Sequence, residues 1–281
     1  VTPPVAAAKR LEVHQSEVNA FELCGEFYRR KYVEKEPDHP GTAALRGSGV
    51  HGAAEENYKQ KIKTARDLPK KQLIDAAVAA FEAKKAKEGF RLTPDEMSVG
   101  AGPSLERAKM DATKLTGTFA EKLAPQVQPK AVELFIKAGI PDTNIDLGGT
   151  IDVVDVQDEI SDLKTSTRAK SQGEADASNQ FSQYGLLYFA KTGIWPKKFH
   201  LDVLVDYKRG PELVRRTTGR DAKDYQTYIN RLNVMLRSRE AGIFAPAGVG
   251  AWFCSNKWCP FFHNCVFVNS ERLAASAKLE E

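Results

Sequence analysis

Residues 148–166, GGTIDVVDVQDEISDLKTS, decide how this chain is read. They divide into two short apolar runs around a polar reversal, the pattern of a hairpin. Asp152 falls on the first strand, Asp162 and Lys164 on the second. Side chains alternate across a strand, so Asp162 and Lys164 share a face. The side of Asp152 depends on the turn. If Val156, Gln157 and Asp158 form a three-residue loop, Asp155 faces Glu159 and Asp152 faces Asp162. A two-residue loop at Gln157 and Asp158 turns Asp152 to the other face. The odd loop is the expectation, because it gathers two carboxylates and an ammonium at the end of an apolar hairpin. The plain alternative is a surface hairpin closed by a salt bridge.

Outward from the hairpin, helical and strand-like segments alternate. Residues 16–32 predict a helix capped by Ser16, with Cys24 inside it. A helix begins near Val50 and carries His51 and Glu55 four apart on one face. Residues 70–89 and 104–123 predict two more helices, separated by a loop over 90–103. The segment 130–138 is ambiguous between strand and helix. A strand edge is preferred, with Glu133 exposed to the site. A polar loop covers 165–176. A helix over 177–191 places Gln180 and Tyr184 one turn apart, a strand follows over 199–207, and a long helix spans 221–241. The fold class is α/β, a small mixed central sheet flanked by helices. The whole of 1–281 reads as one domain, with 50–125 a helical region inserted in it and 243–270 a cysteine-rich segment.

The chain has 281 residues, 42% hydrophobic and 28% charged, with a formal net charge of +4. No run of 18 apolar residues is present, which argues against a membrane span. The first residues lack the apolar core of a signal peptide. A cytoplasmic setting, in a bacterium or a phage-infected cell, is the expectation. The cations gather in three groups, over Lys59–Lys71, Lys84–Lys87 and Lys208–Lys223. Around an acidic pocket these would suit nucleic acid, although each alone reads as a solvated face. No GxxxxGK[ST] motif is present, so the sequence carries no signature of ATP-driven translocation.

Asp152 and Asp162 can share one or two hard divalent cations, with the backbone carbonyl of Leu163 between them as a further oxygen ligand. Such a centre suits phosphodiester hydrolysis, because it neutralises developing charge and acidifies a bound water. Lys164 beside it can orient the nucleophile and stabilise negative charge. His51 can add an imidazole, which suits Mn²⁺ as well as Mg²⁺. Gln180 and Tyr184 can grip a substrate backbone through hydrogen bonds. Separately, Cys254, Cys259 and Cys265 crowd near the C-terminus, and Cys24 can complete four thiolates. By spacing alone such a set fits zinc or an iron–sulfur cluster equally. His263 could replace a cysteine in a zinc version.

The motifs GSGVH with His51, GGTIDVVD with Asp152, SDLKTS with Asp162 and Lys164, and QFSQY with Gln180 and Tyr184 occur in one order. Together with the split cysteine set they resemble the PD-(D/E)xK nuclease superfamily. Within it they are most similar to RecB-like and Cas4-like exonucleases that carry an iron–sulfur cluster, in a compact phage-type form. The resemblance implies a restriction-endonuclease-like core. It implies His51, Asp152 and Asp162 as metal ligands and Lys164 as the catalytic lysine, with Gln180 and Tyr184 near the DNA strand. It also implies a [4Fe–4S] cluster on Cys24, Cys254, Cys259 and Cys265, joining the N-terminal helix to the C-terminal tail. The activity implied is Mg²⁺- or Mn²⁺-dependent cleavage of single-stranded DNA or DNA ends, in recombination, repair or DNA processing. A homo-oligomer or a processing partner would fit. A non-catalytic DNA-binding module and an endonuclease on the same core are the competing readings.

Overall fold

The computed structural model describes residues 10–269. Six strands form one mixed sheet: β1 (Leu11–Val13), β2 (Pro129–Gly139), β3 (Ile145–Asp155), β4 (Ile160–Ser166), β5 (Phe199–Tyr207) and β6 (Gly210–Thr218). Its path runs β1-β3-β4-β5-β6, and β2 adds to β3. The turn between β3 and β4 is the three-residue one. The N–H of Asp155 donates to the carbonyl of Glu159 at 3.0 Å. Asp158 takes the left-handed conformation, φ 63°, that closes such loops. The Asp155 carboxylate accepts the N–H groups of Gln157 and Glu159 at 2.8 and 2.9 Å, fixing the turn from inside.

The β3–β4 ladder is brief. It holds Val153 opposite Ser161 and Val154 opposite Ile160. β4 then runs parallel to β5, from Ile160 opposite Phe199 to Ser166 opposite Val205. The two strands of the hairpin therefore fork immediately after the register that places Asp152 opposite Asp162.

Helices cover both faces, as a sheet with strands buried on each side requires. On one side lie α1 (Gln15–Leu23), α2 (Gly25–Tyr28), α8 (Asn179–Thr192) and α9 (Ala222–Ala241). On the other lie α3 (Thr42–Thr64), α4 (Lys70–Glu88) and α6 (Ala101–Thr118), while α5 (Pro94–Val99) and α7 (Gln172–Asp176) are short connectors. The first core joins Ile151, Leu201, Val203 and Val205 to Phe181, Leu187, Tyr228 and Leu232. The second joins Val153, Leu163 and Leu204 to Val50, Leu73, Leu115 and Phe119. β5 alternates between the two cores at successive residues. Each such side chain contributes about 2 kcal/mol by leaving water.

Several expected boundaries move. The helix expected over 16–32 breaks at Cys24, whose backbone is extended. Its Sγ accepts the N–H of Phe27 at 3.4 Å and so caps α2. α3 starts at Thr42 rather than near Val50, so the GSG punctuation lies inside a helix. α5 and α7 form within the loops expected over 90–103 and 165–176. β1 and β6 were not anticipated. Several of the basic residues are engaged within the protein. Lys61 is buried, bonding Asp67 and the Ala124 carbonyl. Lys84 pairs with Glu88, and Arg215 holds Asp202 at 2.6 and 2.9 Å.

The cysteine expectation is corrected. Cys24, Cys254, Cys259 and Cys265 form no disulfide and line one cavity of about 430 Å³. Among the described residues no three of their sulfurs lie within 4.8 Å of one another, and they form no ligand group. Burial pushes the Cys259 thiol up to about 11. Neither the [4Fe–4S] cluster nor its zinc alternative is supported, and among the described residues His263 joins no ligand group. Packing joins the tail to the N-terminal helices instead. Phe27 meets Phe253 edge-on at 4.9 Å, and the Arg30 guanidinium sits 4.4 Å over the Phe261 ring. Gly25 lets the tail pass: a Cβ there would lie 2.7 Å from the carbonyl oxygen of Ala245.

Candidate metal centre at the strand fork

Four elements converge on the fork. α3 brings His51, β2 brings Glu133, β3 brings Asp152, and β4 brings Asp162 and Lys164. Among the described residues, His51, Glu133 and Asp152 form the group whose ligand atoms all lie within 4.8 Å of one another. Nδ1 of His51 is 3.6 Å from Oδ2 of Asp152. Glu133 sits between the register pairs Val132–Val153 and Leu134–Ile151, which sets it opposite Asp152. Its backbone is left-handed, φ 47°. A non-glycine residue so placed costs on the order of 1–3 kcal/mol, and such strain concentrates at functional sites.

Asp162 is almost sealed from solvent, at 1% exposure. Its Oδ1 accepts from Nζ of Lys164 and from Nε2 of Gln180, both at 2.7 Å. Gln180 also donates to the Tyr184 hydroxyl at 2.7 Å. Across the fork, the N–H of Leu163 donates to Oδ2 of Asp152 at 3.0 Å. That N–H has left the β3 ladder, and the carboxylate replaces the lost strand partner.

α8 lies close enough to make these bonds because β3 carries no side chain at Gly149. A Cβ there would stand 2.9 Å from Cδ1 of Leu187 and 3.3 Å from Nε2 of Gln183. Fully buried Gln183 bonds the Gly148 carbonyl at 2.7 Å and accepts from the Tyr228 hydroxyl, tying α8 to β3 and α9.

The electrostatics follow from crowding. Burial, then the Asp152 and Glu55 charges, raise Glu133 to about 7, against the pull of Lys59. Burial raises Asp162 to about 6; Lys164 opposes this and Asp152 adds to it. Burial pushes the Lys164 ammonium down, but Asp162, Asp152 and Glu133 outweigh it, so its value lies above the ordinary one and the charge is kept. Burial, followed by Asp162 and Asp152, pushes the Tyr184 phenol well up, so it stays protonated. A site in which carboxylates repel one another this strongly suits a divalent cation.

The donor set of one imidazole and hard carboxylates fits Mg²⁺ or Mn²⁺. The sequence-based ligand set was His51, Asp152, Asp162 and the Leu163 carbonyl. The structure groups Glu133 with His51 and Asp152, and commits Oδ1 of Asp162 to Lys164 and Gln180. The signal for Glu133 was weak, an acidic residue within an apolar segment of uncertain type. Gln180 and Tyr184, expected against the substrate backbone, brace Asp162; Tyr184 is 4% exposed.

A protein described as "Putative exonuclease" from Eubacterium rectale has a similar fold, with a TM-score of 0.56 at 12% identity over 93% of this chain and 90% of that one. A second structure, of SSO0001, is 13% identical over 94% of this chain and 89% of that one, with a TM-score of 0.40. At these identities likeness extends to the fold alone. No curated protein matches significantly. The narrower RecB-like and Cas4-like assignment, with its cluster, is not supported by any of these. The fold and the candidate metal triad support metal-dependent nuclease activity. With the PD-(D/E)XK nuclease model matching residues 13–266, the chain belongs to the PD-(D/E)XK nuclease superfamily.

Proposed function

We propose that this chain is a divalent-metal-dependent deoxyribonuclease that works as an exonuclease on single-stranded DNA or DNA ends, from one nuclease domain. The observation that carries the reading is the convergence of His51, Glu133 and Asp152 beside the Lys164–Asp162 pair. The likeness in fold to a protein described as an exonuclease favours action from an end. Recombination, repair or DNA processing would use such an activity.

His51, Glu133 and Asp152 would hold the cation, with Asp162 and the Leu163 carbonyl as the further ligands. When bound, it supplies Lewis-acid neutralisation of phosphate charge and acidifies water. Lys164, Asp152 and Asp162 carry the chemistry on the protein side. The Lys164 ammonium, held by Asp162, points hydrogen-bond donors at the scissile phosphate and the attacking water. Gln180 fixes the Asp162 carboxylate, and the protonated Tyr184 fixes Gln180. The Leu163–Asp152 bond holds the fork at constant width, so the ammonium and the carboxylates keep their spacing as substrate enters.

The test is cleavage of end-labelled single-stranded and duplex DNA with Mg²⁺, Mn²⁺ or EDTA, by the wild type and Lys164→Ala. Metal-dependent shortening from one end, lost in the variant, is the expected result. Internal cuts in circular DNA would replace the exonuclease reading by an endonuclease. Intact DNA under every condition would leave a binding module.

A further inference from the structure

Arg46 is a buried charge that the site does not use. It lies in the second turn of α3, five residues before His51 and so about 7 Å along the helix axis. Among the described residues two arginines are buried, Arg30 at 7% and Arg46 at 9% exposure. Arg30 is satisfied by two bonds to Glu36, at 2.7 and 2.6 Å. Arg46 is not. Its Nε is sealed from solvent without a hydrogen-bond partner. Among the described residues its guanidinium makes no hydrogen bond and no ion pair. Asp111 of α6 and Asp206 of β5 attract it through space, but neither reaches ion-pair distance. Asp111 instead lies 3.4 Å from Nζ of Lys114. Nε is the guanidinium nitrogen that is both sealed and unpartnered, so the two Nη groups keep an opening to solvent.

The position of Arg46 says what the opening is for. The next residue, Gly47, rests against β4: a Cβ there would lie 3.4 Å from Oγ1 of Thr165, the neighbour of Lys164. α3 thus crosses β4 beside the lysine at Gly47, one residue after Arg46 and one turn before His51. A largely buried guanidinium without a protein partner, its two Nη groups open to solvent, can take an anion, because its planar donor fork matches a phosphate. The two nearby carboxylates orient it without saturating any N–H.

We propose that Arg46 binds a phosphate group of the nucleic-acid strand. The proposal rests on the nuclease reading only for the nature of the strand. An internal phosphodiester and a terminal phosphate offer the same chemistry, and the test separates them.

The experiment compares wild type, Arg46→Met and Arg46→Lys in EDTA, where no cleavage occurs. Labelled single-stranded oligonucleotides with and without terminal phosphates are titrated by fluorescence anisotropy across a salt series, alongside thermal unfolding. Arg46→Met is expected to weaken binding about 10-fold, the loss of one charge-assisted contact. The slope of log affinity against log salt should fall by about 0.7, one single-strand phosphate contact. Its Tm should hold or rise, because an unpaired buried charge is removed. Arg46→Lys should keep the salt slope while losing affinity, and it serves if the Met variant does not fold. Equal losses on both oligonucleotides assign an internal phosphate; a loss confined to the phosphorylated one assigns the end. Unchanged affinity and slope would overturn the proposal, as would a wild type that binds no oligonucleotide. A Tm drop of several degrees with an unchanged slope would do so too, and would make Arg46 a structural partner of Asp111 or Asp206. Cleavage in Mg²⁺ or Mn²⁺ is judged separately, so failure of the nuclease reading leaves its own signature.

Discussion

The backbone N–H of Leu163 donates to Oδ2 of Asp152 at 3.0 Å, and this bond spans the fork between β3 and β4. One carboxylate thereby replaces a strand partner and faces His51 and Glu133. The two duties can be separated. Asp152→Asn keeps an acceptor for Leu163 but loses the charge. It should weaken Mn²⁺ binding at least about 10-fold while shifting Tm little. Asp152→Ala should do both, losing a further 1–3 kcal/mol (order of magnitude) for the unsatisfied N–H. Calorimetric Mn²⁺ titration and thermal unfolding read the two effects.

Lys164 is the counter-charge of the buried Asp162. Lys164→Met should lower cleavage to about 1% of wild type or less. It should also destabilise the fold at pH 8 by about 1–3 kcal/mol, because Asp162 is left ionised with Gln180 alone. Adding Asp162→Asn should restore the stability without the activity. Denaturant unfolding of both variants checks this.

Glu133 is raised to about 7 and Asp162 to about 6, each above its ordinary carboxylate value. Between those ordinary values and the raised ones, the folded metal-free chain binds more protons than the unfolded chain. Their contribution to stability is therefore present in full below about pH 4, and is lost as pH rises through 6 and 7. Metal-free protein should thus gain less stability from these groups at pH 8 than at pH 5.5. Mn²⁺ needs the deprotonated forms, so its affinity and its Tm increment should grow from pH 5.5 to 8. Removing the metal with EDTA should reverse the increment. Scanning calorimetry with and without Mn²⁺ at both pH values reads the crossing.

Gly149→Val should push α8 away from β3, since even a Cβ would stand 2.9 Å from Leu187. Overpacking of about 1–3 kcal/mol is expected. The Gln180–Asp162 bond should be lost, with the rate falling more than stability alone explains. Cleavage assays at a temperature where the variant is fully folded test it, and a normal rate there would show that the close approach is not needed.

The hairpin register was legible because period 2 and a three-residue loop leave one arrangement that gathers the polar groups. Asp152, Asp162 and Lys164 therefore come off the sequence together. Glu133 did not stand out as a ligand, since AVELFIKA supports two periods and its left-handed backbone is imposed by tertiary structure. β6 was missed because GPELVRRTT is a half-exposed strand with a polar bias, and β1 because three residues carry no period. The break at Cys24 depends on the tail passing Gly25, a long-range contact that local pattern does not contain. Which cations are engaged inside the protein was not legible, because a paired cation and a free one look the same in sequence. The cysteines illustrate the same limit: four thiols reach one cavity without becoming a ligand group.

β4 shares only two register pairs with β3 but seven with β5. The strand that carries Asp162 and Lys164 is thus anchored mainly by residues 199–205, which leave the ribosome after every residue of the candidate site has been made. A nascent or truncated chain ending before β5 holds all of its chemical groups and cannot hold them in place.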